Sequence, residues 1–165
     1  MRHILGPEDF RLMPWANGKG VTTELAREER DGRMLWRLSR ASVVEDGPFS
    51  IFPGIERNLT VLTGPGFDLT GEGISLRARP MAPLAFPGDV PVTASAVSAP
   101  SDDFNVMTDR ALQRPRVEVL FQPQVIRPGG ALLAIYWPEL ARLVLTDEAE
   151  EIGEAPALAV WLPKS

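Results

Sequence analysis

Two arginines, two asparagines and a few hydroxyls are the residues of this chain whose types and settings could do recognition chemistry. Arg57 stands between the turn Phe52-Pro53-Gly54 and the apolar run Leu59-Thr60-Val61-Leu62, and Arg37 lies inside the extended stretch Met34-Leu-Trp-Arg-Leu-Ser-Arg. A guanidinium presents a planar fork that matches a carboxylate with two parallel hydrogen bonds, so two arginines would suit a diacid. Asn105 lies between Phe104 and Val106. In an extended segment it shares a face with Asp103 and Met107, where its amide could pair with a ligand amide or formyl group. Asn17, in the loop Asn17-Gly18-Lys19-Gly20, could act likewise. Ser39 shares the Arg37 face by the period of two, Thr22 or Thr23 could add a hydroxyl, and Trp15 and Trp36 accompany these polar clusters as candidate pocket walls. Each has a structural alternative: Arg57 as a surface arginine, Arg37 paired with Glu24, Asn105 serving backbone groups at a bulge, and Asn17-Gly18 as a plain hairpin turn.

Conventional catalytic sets are thin. The chain has one histidine, His3, and no cysteine, which excludes thiolate catalysis, disulfides and Cys-ligated zinc. His3 sits in Arg2-His3-Ile4 rather than in a His-x-His pair, so no transition-metal site and no cofactor are expected. No Gly-x-Ser-x-Gly elbow is present, and acyl transfer by a Ser-His-Asp set would need His3 folded back into a pocket. The stretch GPGFDLTGEG, residues 64–73, lacks the Lys-Ser/Thr of a phosphate loop and reads as a pair of β-turns. Acid–base chemistry by carboxylates stays open, with Glu24, Glu45, Asp46, Glu56, Asp102 and Asp103 available, and the spacing does not say which of them approach one another.

These side chains need a scaffold, and 14 glycines with 16 prolines break the 165 residues into segments too short for long helices. Strands are expected over 11–13, 21–26, 34–43, 58–62, 67–69, 74–79, 92–97, 104–108, 117–121, 131–136, 142–145 and 158–162, an all-β pattern suited to a barrel or sandwich. Only 139–141 and 109–114 could hold a helical turn, and Pro115 would end the second. The polar break at 109–115 divides an N-terminal portion, 1–108, from a C-terminal one, 116–165, within one unit spanning 1–165, since no Gly/Ser linker separates them. A net charge of −5 with no basic run argues against nucleic acid as a partner. The longest apolar run, 131–138, is far below a bilayer span, and the N-terminus lacks a signal peptide's apolar region, so a cytoplasmic protein without a membrane partner is expected. A homodimer is compatible with the sequence.

Four stretches, PWANGKGVTTEL, WRLSRASVVEDGPFSIFPGIERNLTVLTG, PLAFPGDVPV and DDFNVMTDR, occur in the order seen in the HutD/Ves family of histidine-utilisation-associated proteins, which the chain resembles over roughly residues 14 to 110. The resemblance implies a cupin-like double β-barrel, a bicupin, forming one compact molecule. It also implies an accessory or regulatory role in histidine breakdown, with a small anionic metabolite such as formylglutamate as ligand, and it strengthens Asn17, Arg57 and Asn105 as binding residues. The alternatives from the residues alone are a metal-independent isomerase or hydrolase, with Asp103 or Glu24 as base and an arginine steadying the developing anion, and a β module that binds only a protein partner.

Overall fold

The computed structural model describes residues 1–16, 18 and 20–164. Every regular element longer than three residues is a β-strand, in keeping with the all-β expectation. In chain order they are β1 (Arg2–Leu5), β2 (Arg11–Pro14), β3 (Val21–Arg30), β4 (Arg33–Val43), β5 (Gly47–Pro48), β6 (Ile55–Thr63), β7 (Phe67–Gly71), β8 (Ile74–Ala78) and β9 (Leu84–Pro87). There follow β10 (Val92–Ser95), β11 (Ser101–Asp109), β12 (Arg116–Leu120), β13 (Gln124–Ile126), β14 (Leu132–Trp137), β15 (Arg142–Thr146), β16 (Glu150–Ile152) and β17 (Ala157–Leu162). Single 3-10 turns occur at Pro7–Asp9 and Pro138–Leu140. The helical turn that 109–114 could hold does not form: Asp109 closes β11, and its carboxylate accepts the Ala111 N–H at 2.9 Å in a local turn.

The chain divides into two compact units, Arg11–Ala111 and Met1–Phe10 with Leu112–Ser165. The larger unit, Arg11–Ala111, holds an antiparallel six-stranded sheet in the order β2-β3-β4-β11-β6-β9 and a four-stranded sheet in the order β5-β10-β7-β8. Strands β3 and β4 are joined by Asp31-Gly32, both at positive φ (53° and 74°), the two-residue turn whose twist suits a hairpin. Leu59, Val61 and Phe86 of the first sheet and Phe67, Leu69, Ala78, Val92 and Ala94 of the second form one buried cluster, so the two sheets share a core. Strand β11 lies at the centre of the larger sheet, where its period of two sends Asp103, Asn105 and Met107 to one face and Phe104 and Val106 to the other.

The smaller unit carries a five-stranded sheet, β1-β15-β14-β17-β12, and the pair β13-β16. Leu133, Ile135 and Trp137 alternate along β14 into a core shared with Leu120, Ile126, Val144 and Ile152. The division at residue 108 expected from sequence order therefore needs correction at the N-terminus. Strand β1 leaves its sequence neighbours and pairs antiparallel with β15, Leu5 opposite Leu143 and Arg2 opposite Thr146. Arg2 anchors it, donating from Nε and Nη2 to the two oxygens of the buried Glu150 at 2.9 and 2.6 Å. No sheet closes on itself among the described residues. Among them, too, no helix is long and apolar enough to cross a membrane.

Candidate functional site

A cavity of about 630 Å³ lies within the larger unit, lined from β4 by Arg37, Ser39 and Ala41, from β11 by Asp103, Asn105 and Met107, and from β6 by Arg57. Cross-strand pairing explains why these residues meet. Asn105 stands opposite Ser39, and Met107 opposite both Arg37 and Arg57, so positions two apart on three adjacent strands present one face. A one-residue irregularity at Asp102/Asp103 in the pairing with β6 marks where the polar row ends. Asp102 turns away, receiving Arg40 at 2.9 Å and the Ser42 hydroxyl, whereas Asp103 faces the cavity.

The remaining wall comes from the β2–β3 hairpin and from the segment around Phe49 to Phe52. The Trp15 ring lies over Gly20, where a Cβ would come within 2.8 Å of it, and its indole N–H donates to the Thr22 hydroxyl at 2.9 Å. Gly20 is thus needed for close approach rather than for chemistry. Asn17 lies outside the described residues.

Arg57 is the unusual group of the cavity. Its residue is 7% exposed, and its guanidinium carbon sits 5.3, 5.3 and 5.0 Å from the ring centres of Phe49, Phe52 and Phe86. Nη2 donates to Asn105 Oδ1 at 3.1 Å, and the buried Nε has no hydrogen-bond partner among the described residues. No described carboxylate forms an ion pair with it, whereas Arg37 is paired, its Nε donating to Glu24 Oε2 at 3.1 Å and its Nη2 reaching Met13 Sδ. Burial lowers the Arg57 pKa to about 10, with Asp103 pulling it back up and Arg37 pressing it further down; the side chain stays charged at neutral pH. Asp103, 1% exposed, has its carboxyl pushed up to about 7, chiefly by burial and against the bond from Asn105 and the charge of Arg57.

Of the residues singled out from sequence, Trp15, Thr22, Arg37, Ser39, Arg57, Asp103 and Asn105 come together on this cavity. Trp36 does not. It is 3% exposed on the opposite face of β4, with its indole N–H donating to Glu28 at 2.8 Å, because the alternation that aims Arg37 and Ser39 into the cavity aims their neighbour away. The aromatic cage went unread in the sequence. Its signal was the tripeptide Phe-Pro-Gly, which occurs at 52–54 and again at 86–88. The two copies are bonded to each other, Phe52 N–H to Gly88 C=O at 2.7 Å, and a Cβ on Gly88 would lie 3.3 Å from the Arg57 stem. Among the described residues no group of three His, Cys, Asp or Glu could hold a metal ion.

A family model described as HutD matches residues 7–155, nearly the whole chain. The chain belongs to the HutD family. An uncharacterised 21.2 kDa protein of the hutC 3′ region of Pseudomonas putida is 36% identical over 120 residues, 70% of this chain and 62% of that protein. The protein Ves of Citrobacter koseri is 37% identical over 117 residues, 67% of this chain and 61% of its own length. The match thus spans less than two thirds of either relative. Among solved structures, HutD of Pseudomonas fluorescens SBW25, in a formate condition, superposes with a TM-score of 0.82 at 26% identity, covering 99% of this chain and 98% of that one. A conserved protein of unknown function from Pseudomonas aeruginosa PAO1 does so with a TM-score of 0.82 at 28% identity, covering 99% of this chain and all of that one.

Proposed function

We propose that this HutD-family chain binds a small carboxylate metabolite in the cavity of its larger unit and serves as an accessory or regulatory protein of histidine catabolism, with formylglutamate or a related intermediate as ligand. One observation carries the proposal: a charged guanidinium, caged by three phenylalanines, keeps a buried Nε that has no hydrogen-bond partner among the described residues, in a 630 Å³ cavity. A buried cationic donor without a partner costs free energy that an incoming carboxylate would recover. The link to histidine rests on the family and on the gene neighbourhood for which the Pseudomonas putida relative is named. The cupin-like double-barrel reading belongs to the same proposal, supported by two all-β units that each build a core between two sheets.

Calorimetric titration with formylglutamate, glutamate, urocanate and a neutral amide analogue tests it. A charge-assisted pair contributes about 1.5–3 kcal/mol, so Arg57→Ala should weaken the preferred acid roughly 10- to 150-fold. Arg57→Lys should restore part of that, because an ammonium keeps charge without the fork. Equal binding of the neutral analogue would reject an anion site.

Asp103 favours one second reading, a metal-independent isomerase or hydrolase. A carboxyl that ionises near pH 7 inside a cavity is suited to carry a proton both ways, with Arg57 steadying developing negative charge. Turnover of a carboxylate substrate that disappears in Asp103→Asn, with binding retained, would select this reading over the first.

A further inference from the structure

Arg57 and Asp103 are opposite charges buried in one cavity, and a direct ion pair would compensate the burial of both. They do not form one. Between them stands the Asn105 amide, whose Oδ1 accepts from Arg57 Nη2 at 3.1 Å and whose Nδ2 donates to Asp103 Oδ1. The sheet register shows that Arg57 reaches for this contact: its cross-strand partner is Met107, and its guanidinium bonds one same-face position further along β11. An amide that accepts with one end and donates with the other fits this place, and a carboxylate or a hydrocarbon there would not.

We propose that Asn105 is a positioning residue that keeps Arg57 and Asp103 from closing into an ion pair, so that the guanidinium charge stays available to an anionic ligand. The role in binding rests on the small-carboxylate reading of the cavity. Around Asp103 the charged groups are Arg57 from β6, Arg40 from β4 and Asp102 beside it on β11, with Ala41 and Val61 as its cross-strand neighbours. A carboxyl in direct contact with a buried guanidinium would ionise low. Asp103 instead ionises near 7, so below that pH the Arg57 charge has no anion in the cavity's own row.

Removing the amide distinguishes a spacer from a passive neighbour by sign. The Asn105 hydrogen bond lowers the Asp103 pKa, so losing it alone would leave that pKa unchanged or higher; closure of Arg57 onto Asp103 would drive it down. The Asp103 titration is followed through its carboxyl 13C shift in full-length, ligand-free protein, and glutarate, a plain dicarboxylate, is titrated by calorimetry. In Asn105→Ala the Asp103 midpoint is expected to fall by about two pH units or more, and glutarate to weaken at least about 10-fold. Asn105→Asp keeps the side-chain shape, sets a carboxylate directly on Arg57, and should cost glutarate at pH 8 by a similar factor, which guards against a variant that fails to fold. A midpoint at or above that of the parent protein in folded Asn105→Ala, or undiminished glutarate binding by Asn105→Asp, would overturn the proposal. Should the midpoint fall as expected in a protein that binds no glutarate in any form, the spacer role stands and the carboxylate reading of the cavity is what fails.

Discussion

A carboxyl that ionises near neutrality inside a fold makes stability depend on pH, and Asp103 sets the sign. Its ordinary pKa of 3.8 is raised to about 7 by burial. Between those values the unfolded chain has released the proton and the folded chain retains it, so stability is fullest below about pH 4 and declines as pH rises towards 7. Asp103→Asn removes that loss. Relative to the parent protein the variant should gain on the order of a few kcal/mol at pH 8 and nothing at pH 4. Urea unfolding at both values measures the difference, and a gain that does not change with pH would rule out Asp103 as the titrating group. The position of Asp103, like those of Arg37, Ser39 and Asn105, was legible because strand alternation assigns faces without knowledge of the fold. The same rule applied to β4 excludes Trp36, whose proximity to Arg37 in sequence is what separates them in space. The phenylalanine cage had only the repeated Phe-Pro-Gly as its signal: Phe86 reaches Arg57 because β9 pairs with β6, Phe86 directly opposite Arg57, and the repeat marks two turns without assigning that pairing.

At the scale of elements, the Gly-rich stretch 64–73 does structural work. Gly66 has φ 82°, its N–H donates to the Ser101 hydroxyl at 2.8 Å, and a Cβ there would lie 2.0 Å from the Ala78 carbonyl oxygen. Gly66→Ala would thus combine left-handed backbone strain with an overlap that cannot relax without parting β7 from β8, whose pairing begins at Phe67 opposite Ala78. A loss of at least about 2 kcal/mol in denaturant unfolding is expected, and a near-neutral effect would show that this turn yields. The phosphate-loop signal was rightly weak, since a strand, not a helix, follows the glycines. The long strands β3, β4, β6 and β11 were visible through their apolar and β-branched parts, 21–26, 34–43, 58–62 and 104–108, while the charged ends of β3, β6 and β11 were not. Strands β5, β9, β13 and β16 span only two to four residues, too few for a period to register. Strand β1 was missed for a different reason. Its partner β15 lies some 140 residues away, and the Arg2 contact with Glu150 that secures it has no local sequence signature.

Across the whole molecule, all described cavity-lining residues belong to the larger unit, while the charge that an approaching ligand meets is that of the entire chain. With 17 Lys and Arg against 22 Asp and Glu the net charge is −5, so on the proposed reading a dicarboxylate is repelled at long range and attracted by Arg57 only at contact. These two effects respond differently to salt. At 10 mM ionic strength the screening length is about 30 Å, so the repulsion, on the order of 1–2 kcal/mol, acts over the whole approach; at 150 mM it is about 8 Å and most of that is gone. The Arg57 contact is buried and screened much less. Raising the ionic strength over this range should therefore increase kon for a dicarboxylate several-fold and leave koff nearly unchanged, the reverse of the usual behaviour of an anion site on a basic protein. Stopped-flow tryptophan fluorescence, with Trp15 on the cavity wall as reporter, follows both rates. A kon that falls with salt would mean that the local field of the cavity, to which Arg57 contributes the positive charge with no ion-pair partner among the described residues, outweighs the charge of the remainder of the chain along the whole path of entry.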